Sequence, residues 1–189
     1  MGLSGLGYMK NYYKIIGGII MRLLRPSIEY KQQVLEYRNE FIENGDDLAG
    51  TSYLRKYDIY EDWLNFVLDN EQDSTKHTEV TANVFLAIRE EDNKLVGIMS
   101  IRHTLNEYLY NYGGHIGYSV KRIERQKGYA KEMLKIALEK CKKLEIEKVL
   151  LTCDANNIGS IKTIKSCGGT LENEVKDDDT VIQRYWIKL

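Results

Sequence analysis

The stretch that decides the fold is Tyr118-Ser119-Val120-Lys121-Arg122-Ile123-Glu124-Arg125-Gln126-Lys127-Gly128-Tyr129-Ala130. Tyr118 to Val120 read as the end of a strand, and Ala130 opens a helix whose apolar set, Ala130, Met133, Leu134, Ala137, Leu138, Cys141 and Leu144, holds one face for several turns. A strand running through a short loop into a helix directs unpaired backbone N–H groups and the positive end of the helix dipole at one spot. Such a spot suits phosphate. Gly128 permits close backbone approach, Ala130 keeps the first turn slim, and Arg125 and Lys127 bring positive charge. Other phosphate signatures are absent: there is no GxxxxGK[ST] and no GxGxxG followed by a ribose-binding acid.

Working outward, Val84 to Ile88 and Leu95 to Ile101 are β-rich runs separated by Glu91-Asp92-Asn93-Lys94, an antiparallel hairpin by pattern. Gly114 to Val120 reads as the next strand. Upstream, Met21 to Pro26 reads as a first strand, and Ser27 as the cap of a helix with Tyr30, Val34, Leu35, Tyr37, Phe41 and Ile42 at a period near 3.6, ending at Asn44-Gly45. A shorter helix spans Tyr60 to Leu68, where Trp63 and Phe66 pack, and Asn70 to Val80 reads as a polar loop containing a solvated His77. Downstream come a buried-type strand, Lys148 to Cys153, a helix from Asn157 to Ser166 stopped by Gly168-Gly169, and two strands around the Asp177-Asp178-Asp179 turn. No repeat interrupts this order, so the pattern is one α+β domain with a mixed, mostly antiparallel sheet.

Composition narrows the function classes. Hydrophobic residues at 43% and charged residues at 29% are globular values, and 27 Lys+Arg against 28 Asp+Glu leave a net charge of -1. That balance creates no global field for nucleic acid or anionic lipid, and neither partner is expected. The three cysteines, Cys141, Cys153 and Cys167, have no CxxC spacing, which argues against a disulfide framework and against a metal site, and favours a reducing, cytoplasmic setting. The apolar stretch Ile15 to Leu24, broken by Gly17, Gly18 and Arg22, is too short to span a membrane. Residues 1–20 read as an N-terminal extension, poorly ordered or preceding a true start at Met21, and residues 21–189 as a single domain.

Arg125-Gln126-Lys127-Gly128-Tyr129-Ala130 resembles the [Q/R]-x-x-G-x-[G/A] motif of the GCN5-related N-acetyltransferase superfamily. Asn157-Ile158-Gly159-Ser160 resembles the family's N-x-x-[A/S] segment on the last helix, and Ile101 to Leu109 with Gly113 to Tyr118 look like a subgroup of bacterial acetyltransferases of unassigned substrate. The resemblance implies about six or seven strands flanked by about four helices. It also implies acetyl-CoA as co-substrate, no metal, and an amine acceptor, either a small molecule or a peptide; a homodimer is one assembly in keeping with it. By the same resemblance the backbone of Tyr118, Ser119 and Val120 would pair with the pantetheine arm, Gln126 to Ala130, with Arg125 before them, would hold the pyrophosphate, and Asn157 and Ser160 would lie beside the pantetheine. The pattern is broken at Ile164, where many members carry a tyrosine that protonates the departing thiolate.

Acetyl transfer to an amine needs a neutral amine and a proton source near the sulfur. His115, on the strand before the phosphate loop, is a candidate base and equally a hydrogen-bonded structural histidine; His103, at the end of the preceding strand, is a second candidate. Tyr118 and Tyr129 are placed to donate a proton or merely to pack. Asn106 and Glu107 are candidates for the acceptor side, Glu107 orienting a cationic amine or standing as a solvated loop acid. Acceptor selection is expected from Gly45 to Tyr60, Asn70 to Val80 and Thr104 to Gly113. Two functions follow: an N-acetyltransferase working by direct attack in a ternary complex, or a CoA-binding regulatory or sensor domain, which the loss of tyrosine at 164 favours.

Overall fold

The computed structural model describes residues 12–16, 19–72 and 80–189, with side chains from residue 20 onward. His77 therefore lies outside the described residues. Among the described residues eight strands and four α-helices follow one another: β1 (Tyr12–Ile16), β2 (Ile19–Leu24), α1 (Lys31–Glu43), α2 (Tyr60–Gln72), β3 (Ala82–Arg89), β4 (Lys94–Arg102), β5 (Ile116–Val120), α3 (Tyr129–Lys143), β6 (Lys148–Asp154), α4 (Ile158–Ser166), β7 (Thr170–Asp177) and β8 (Thr180–Lys188). The sequence pattern implied one sheet. The strands instead form two, a five-stranded sheet ordered β1-β2-β3-β4-β5 and a three-stranded sheet ordered β6-β8-β7, with antiparallel pairing in each.

The expected boundary after residue 20 falls inside the first hairpin. Strand β1 pairs with β2 from Tyr12↔Leu23 to Ile16↔Ile19, so part of the presumed extension is an edge strand of the large sheet. Of the polar loop expected from Asn70 to Val80, the start is helical and residues 73–79 lie outside the described residues. Helix α2 continues to Gln72 because Asn70, despite its polarity, is buried and donates from Nδ2 to Val80 O at 3.0 Å. Ser27 makes no side-chain cap bond; a short 3-10 turn, Ile28–Tyr30, leads into α1 instead.

Both faces of the large sheet are covered, which is why β3 and β4 read as nearly continuous apolar runs. Val84, Leu86, Ile88, Leu95 and Ile98 face a core built with Tyr37 and Phe41 of α1 and Trp63 and Val67 of α2. Phe85, Ala87, Val96, Met99 and Ile101 face a second core with Met133, Leu134, Ala137 and Cys141 of α3, which continues onto Val149, Leu151, Tyr185 and Ile187 of the small sheet. Ile164 of α4 is fully buried in that second core. Among the described residues no helix is long and apolar enough to cross a membrane.

The two sheets meet at a single seam. His115 N–H donates to Leu150 O at 2.8 Å, and the imidazole Nδ1 of His115 accepts from Leu150 N–H at 3.0 Å. Leu150 N–H is thereby taken by a side chain and cannot extend a main-chain ladder from β5 to β6. One residue earlier, Gly114 adopts φ 65° and ψ −177°, and a Cβ there would lie 2.6 Å from Leu150 O. Only glycine fits that backbone at that distance.

Two outcomes follow from the seam. Gly114→Ala should destabilise the fold by roughly 2 kcal/mol or more, from left-handed strain plus the clash with Leu150, read as a drop in Tm with lost cooperativity. Burial lowers the pKa of His115 to about 4, assisted by the nearby Arg102 charge. The neutral ring is the folded form, so its stabilisation is complete above the unfolded pKa of about 6.5 and declines as pH falls from there toward about 4. His115→Gln should flatten that part of the stability-pH curve in denaturant titrations.

Candidate functional site

Beyond Val120 the chain makes a 3-10 turn, Arg122–Glu124, and enters α3 through Gln126 and Gly128, both left-handed at φ 63° and φ 89°. Left-handed residues at alternate positions turn successive N–H groups toward one centre. Gly128 is the N-cap of α3 and no side chain caps it, so the N–H groups of the first turn point outward from the helix start. They open onto a cavity of about 720 Å³ lined by Tyr118, Ser119, Val120, Arg125, Gln126, Gly128, Tyr129 and Ala130, with Asn157 and Ser160 opposite. The sequence expectation thus comes together in space, with one omission: Lys127 does not line this cavity.

The loop's positive side chains are engaged by the protein itself. Arg125 donates to Asp46 Oδ2 at 2.5 Å and to Val120 O at 3.1 Å, and lies over the Phe41 ring. Lys127 pairs with Glu124 at 3.0 Å, and Arg89 holds the same carboxylate oxygen at 2.9 Å. Arg122 bonds to Asn44 Oδ1, while its N–H donates to Glu40. The charge expected to attract an anion is therefore largely neutralised by α1 and by the buried Glu124. What remains for an anion is the array of backbone N–H groups and the dipole of α3.

Strand β5 supplies the second wall. Along the β4–β5 ladder Arg102 N–H donates to His115 O and Lys121 N–H to Val96 O, so by antiparallel alternation residues 117 and 119 also face β4 while the backbone groups of Tyr118 and Val120 face away from it. With no β6 partner beyond the seam, that edge is open to the cavity. Side chains alternate too. Ser119 donates to Ala49 O at 2.7 Å and accepts from Tyr37 OH at 3.0 Å, on the α1 side, whereas Tyr118 OH lies 2.9 Å from Ser160 Oγ on the α4 side. Asn157 is the N-cap of α4, its Oδ1 accepting from Ser160 N–H at 3.0 Å. Burial pushes the Tyr118 phenol up to about 12, against the opposing pull of the Ser160 hydrogen bond.

A second cavity, about 900 Å³, lies between the 47–56 loop, α2, the 108–113 segment and β6. It carries the aromatic side chains Tyr53, Phe66, Tyr108 and Tyr112, and the cations Arg55, Lys56 and Arg102. Asp47, Ala49, Tyr118, Asn157 and Ser160 line both cavities and form their junction.

Several sequence candidates are not brought to this junction. His115 lines neither cavity and sits at the seam; His103 lines neither, its Nε2 2.9 Å from Asn83 Oδ1. Asn106 uses its Oδ1 to accept from Leu109 N–H, at the start of a π-helical turn, Leu109–Gly113, and neither it nor Glu107 lines the acceptor-side cavity. Tyr108 and Tyr112 of the same segment do. Asp47 and Tyr53, within the expected Gly45 to Tyr60 segment, line it too, although a loop without periodicity gives neither residue a signal of its own, and so does Cys153, by sequence a buried hydrophobe. The segments expected to select the acceptor do supply most of that cavity's walls.

A strand splayed from its neighbour thus faces an uncapped helix N-terminus and a second, asparagine-capped helix. A family model for the acetyltransferase (GNAT) domain matches residues 41–170, more than half of the chain, and the protein belongs to that family. The fold is similar to that of the microcin C7 self-immunity acetyltransferase MccE in complex with acetyl-CoA and AMP (19% identity, TM-score 0.64, 89% of this chain and 92% of that one). It is also similar to the ribosomal-protein-S5-alanine acetyltransferase of Vibrio fischeri (16%, 0.65, 94% and 96%). RimJ of Mycobacterium smegmatis in complex with CoA-disulfide is a third (14%, 0.71, 94% and 86%). Comparison with curated protein sequences finds no match.

Because backbone and not side-chain charge lines the loop, Lys127→Ala should leave CoA affinity within about threefold by calorimetry, as expected for an exposed paired lysine. Gly128→Glu should abolish it, since the new carboxylate and its strained backbone occupy the anion's place.

Proposed function

We propose that the protein is an acetyl-CoA-dependent N-acetyltransferase that acts on a primary amine by direct attack in a ternary complex. The observation that carries this reading is the junction at Tyr118 and Ser160, where a cavity ending on the uncapped start of α3 opens into a second, aromatic-lined cavity. The residues present fit the co-substrate: backbone N–H groups at Gln126 to Ala130 for a pyrophosphate, the free edge of β5 at Tyr118 and Val120 for an amide-bearing arm, and Asn157 beside it. The MccE and RimJ structures, which hold acetyl-CoA and CoA-disulfide, support the reading.

Bound acetyl-CoA supplies an activated acyl group. The chain's own residues orient and protonate. The edge N–H of Tyr118 is placed to hydrogen-bond a carbonyl oxygen at the mouth of the splay, where developing negative charge would be stabilised. The Tyr118 hydroxyl, protonated throughout the neutral range, is placed with Ser160 to return a proton to a departing thiolate, the role left vacant by Ile164. Direct attack is favoured over a covalent enzyme intermediate because burial raises the Cys153 thiol, the nucleophile nearest the junction, to about 11. In balance, a protonated amine loses one proton to water and one to sulfur, the C–N bond forms and the C–S bond breaks.

The second reading, a CoA-binding regulatory or sensor domain, draws on Ile164, whose complete burial leaves α4 without an acid at that place. Thiol release from acetyl-CoA with a panel of amines separates the two: an enzyme shows saturable, amine-dependent release, and a sensor shows CoA binding alone. Tyr118→Phe should lower kcat about 100-fold while the Kd for CoA stays unchanged; an unaltered kcat would remove Tyr118 as the acid.

A further inference from the structure

We propose that Asp47 docks the ammonium group of the acceptor, which makes the acceptor a cationic primary amine with a neutral, ring-bearing body. The inference rests on the acetyl-transfer reading above and deepens it. Among the described residues Asp47 is the one carboxylate that lines both cavities: Asp46 and Glu124 line only the first, Asp154 only the second. An acceptor nitrogen must reach the acyl carbon at that junction, so Asp47 is the negative charge it meets there.

The neighbours of Asp47 explain why its backbone is held still while its side chain is left for a ligand. Asp46 is clasped by Arg125, and Arg55 donates to Asp46 O at 2.8 Å. Leu48 is buried, and its carbonyl accepts from Thr51 Oγ1 at 2.8 Å. Ala49 O is held by Ser119 Oγ, and Gly50 abuts Gly117 so closely that a Cβ on Gly117 would lie 2.8 Å from Gly50 N. Asp47 itself is exposed to the cavities, and no described side chain pairs with it. A fixed backbone carrying an unpartnered carboxylate is pre-organised to bind a cation.

The other charges of the acceptor cavity set the rest of the acceptor. Arg102 donates to the carbonyls of Gly113 and Gly114, Lys56 lies over the Tyr53 ring, and Asp154 accepts from Asn156 N–H. Arg55 and Lys56 on the wall beside Asp47 would repel a second positive charge, which disfavours a polyamine. Tyr53, Phe66, Tyr108 and Tyr112 suit an aromatic ring.

The test compares two probes in thiol-release assays at saturating acetyl-CoA. Tyramine is cationic at neutral pH; phenylhydrazine, of similar size, is uncharged there. Asp47→Asn should raise the KM for tyramine about tenfold, the loss expected for one charge-assisted hydrogen bond, with kcat within about twofold and the KM for phenylhydrazine unchanged. Asp47→Glu should recover most of the tyramine KM. An unchanged tyramine KM in Asp47→Asn, or an equal loss with both probes, overturns the proposal. CoA binding by calorimetry on the parent protein keeps the two levels apart. Binding without turnover of tyramine overturns the acceptor assignment and leaves the CoA site standing, whereas absence of CoA binding overturns the underlying reading and this proposal with it.

Discussion

Every feature of the site depends on two strands being joined at one end and kept apart at the other. At His115 the imidazole takes the Leu150 N–H that a regular ladder would use, and Gly114 brings the backbones into contact without a side chain between them. From there β5 and β6 belong to different sheets. An unpaired strand edge is normally a liability that a fold covers. Here it becomes the wall of a cavity, lined by Tyr118 and Val120. A ligand amide lying along that edge would complete the ladder the protein leaves open.

The electrostatics follow the same economy. The Lys121 to Lys127 loop looks cationic in one dimension, yet Glu40, Asp46 and Glu124 engage its side chains in three. These pairs tie α1 and the α1–α2 connection to the loop before α3, which joins a wall of one cavity to a wall of the other. What the loop leaves open to the cavity is N–H groups whose direction is set by backbone geometry. Such a site can hold a pyrophosphate on a protein of net charge -1 without offering a basic surface to a polyanion.

Periodicity made most elements legible. The apolar stripe of α3, the β3–β4 hairpin and the strand-loop-helix unit at 118–130 are local patterns, and they appear where those patterns place them. The discrepancies are equally physical. Asn70 lies inside α2 with its Nδ2 bonded to Val80 O, and Tyr12–Ile16 becomes a strand because β2 offers an edge to pair with. His115 has the chemistry of a base but is placed at the seam, where its ring nitrogen is an acceptor for a backbone group.

The sequence by itself determined the class of fold, the order of its elements and the position of the strand–loop–helix unit at 118–130, because each is encoded in residues adjacent along the chain: a glycine at a helix start, a stripe at helical spacing, alternation in a strand. Tertiary structure alone decided which side chains share the junction. Asp47, Tyr118 and Ser160 come from a loop, a strand and a helix far apart in sequence, and they meet where the two cavities join, beyond the His115–Leu150 seam. A property defined by the meeting of three distant segments has no periodicity to betray it.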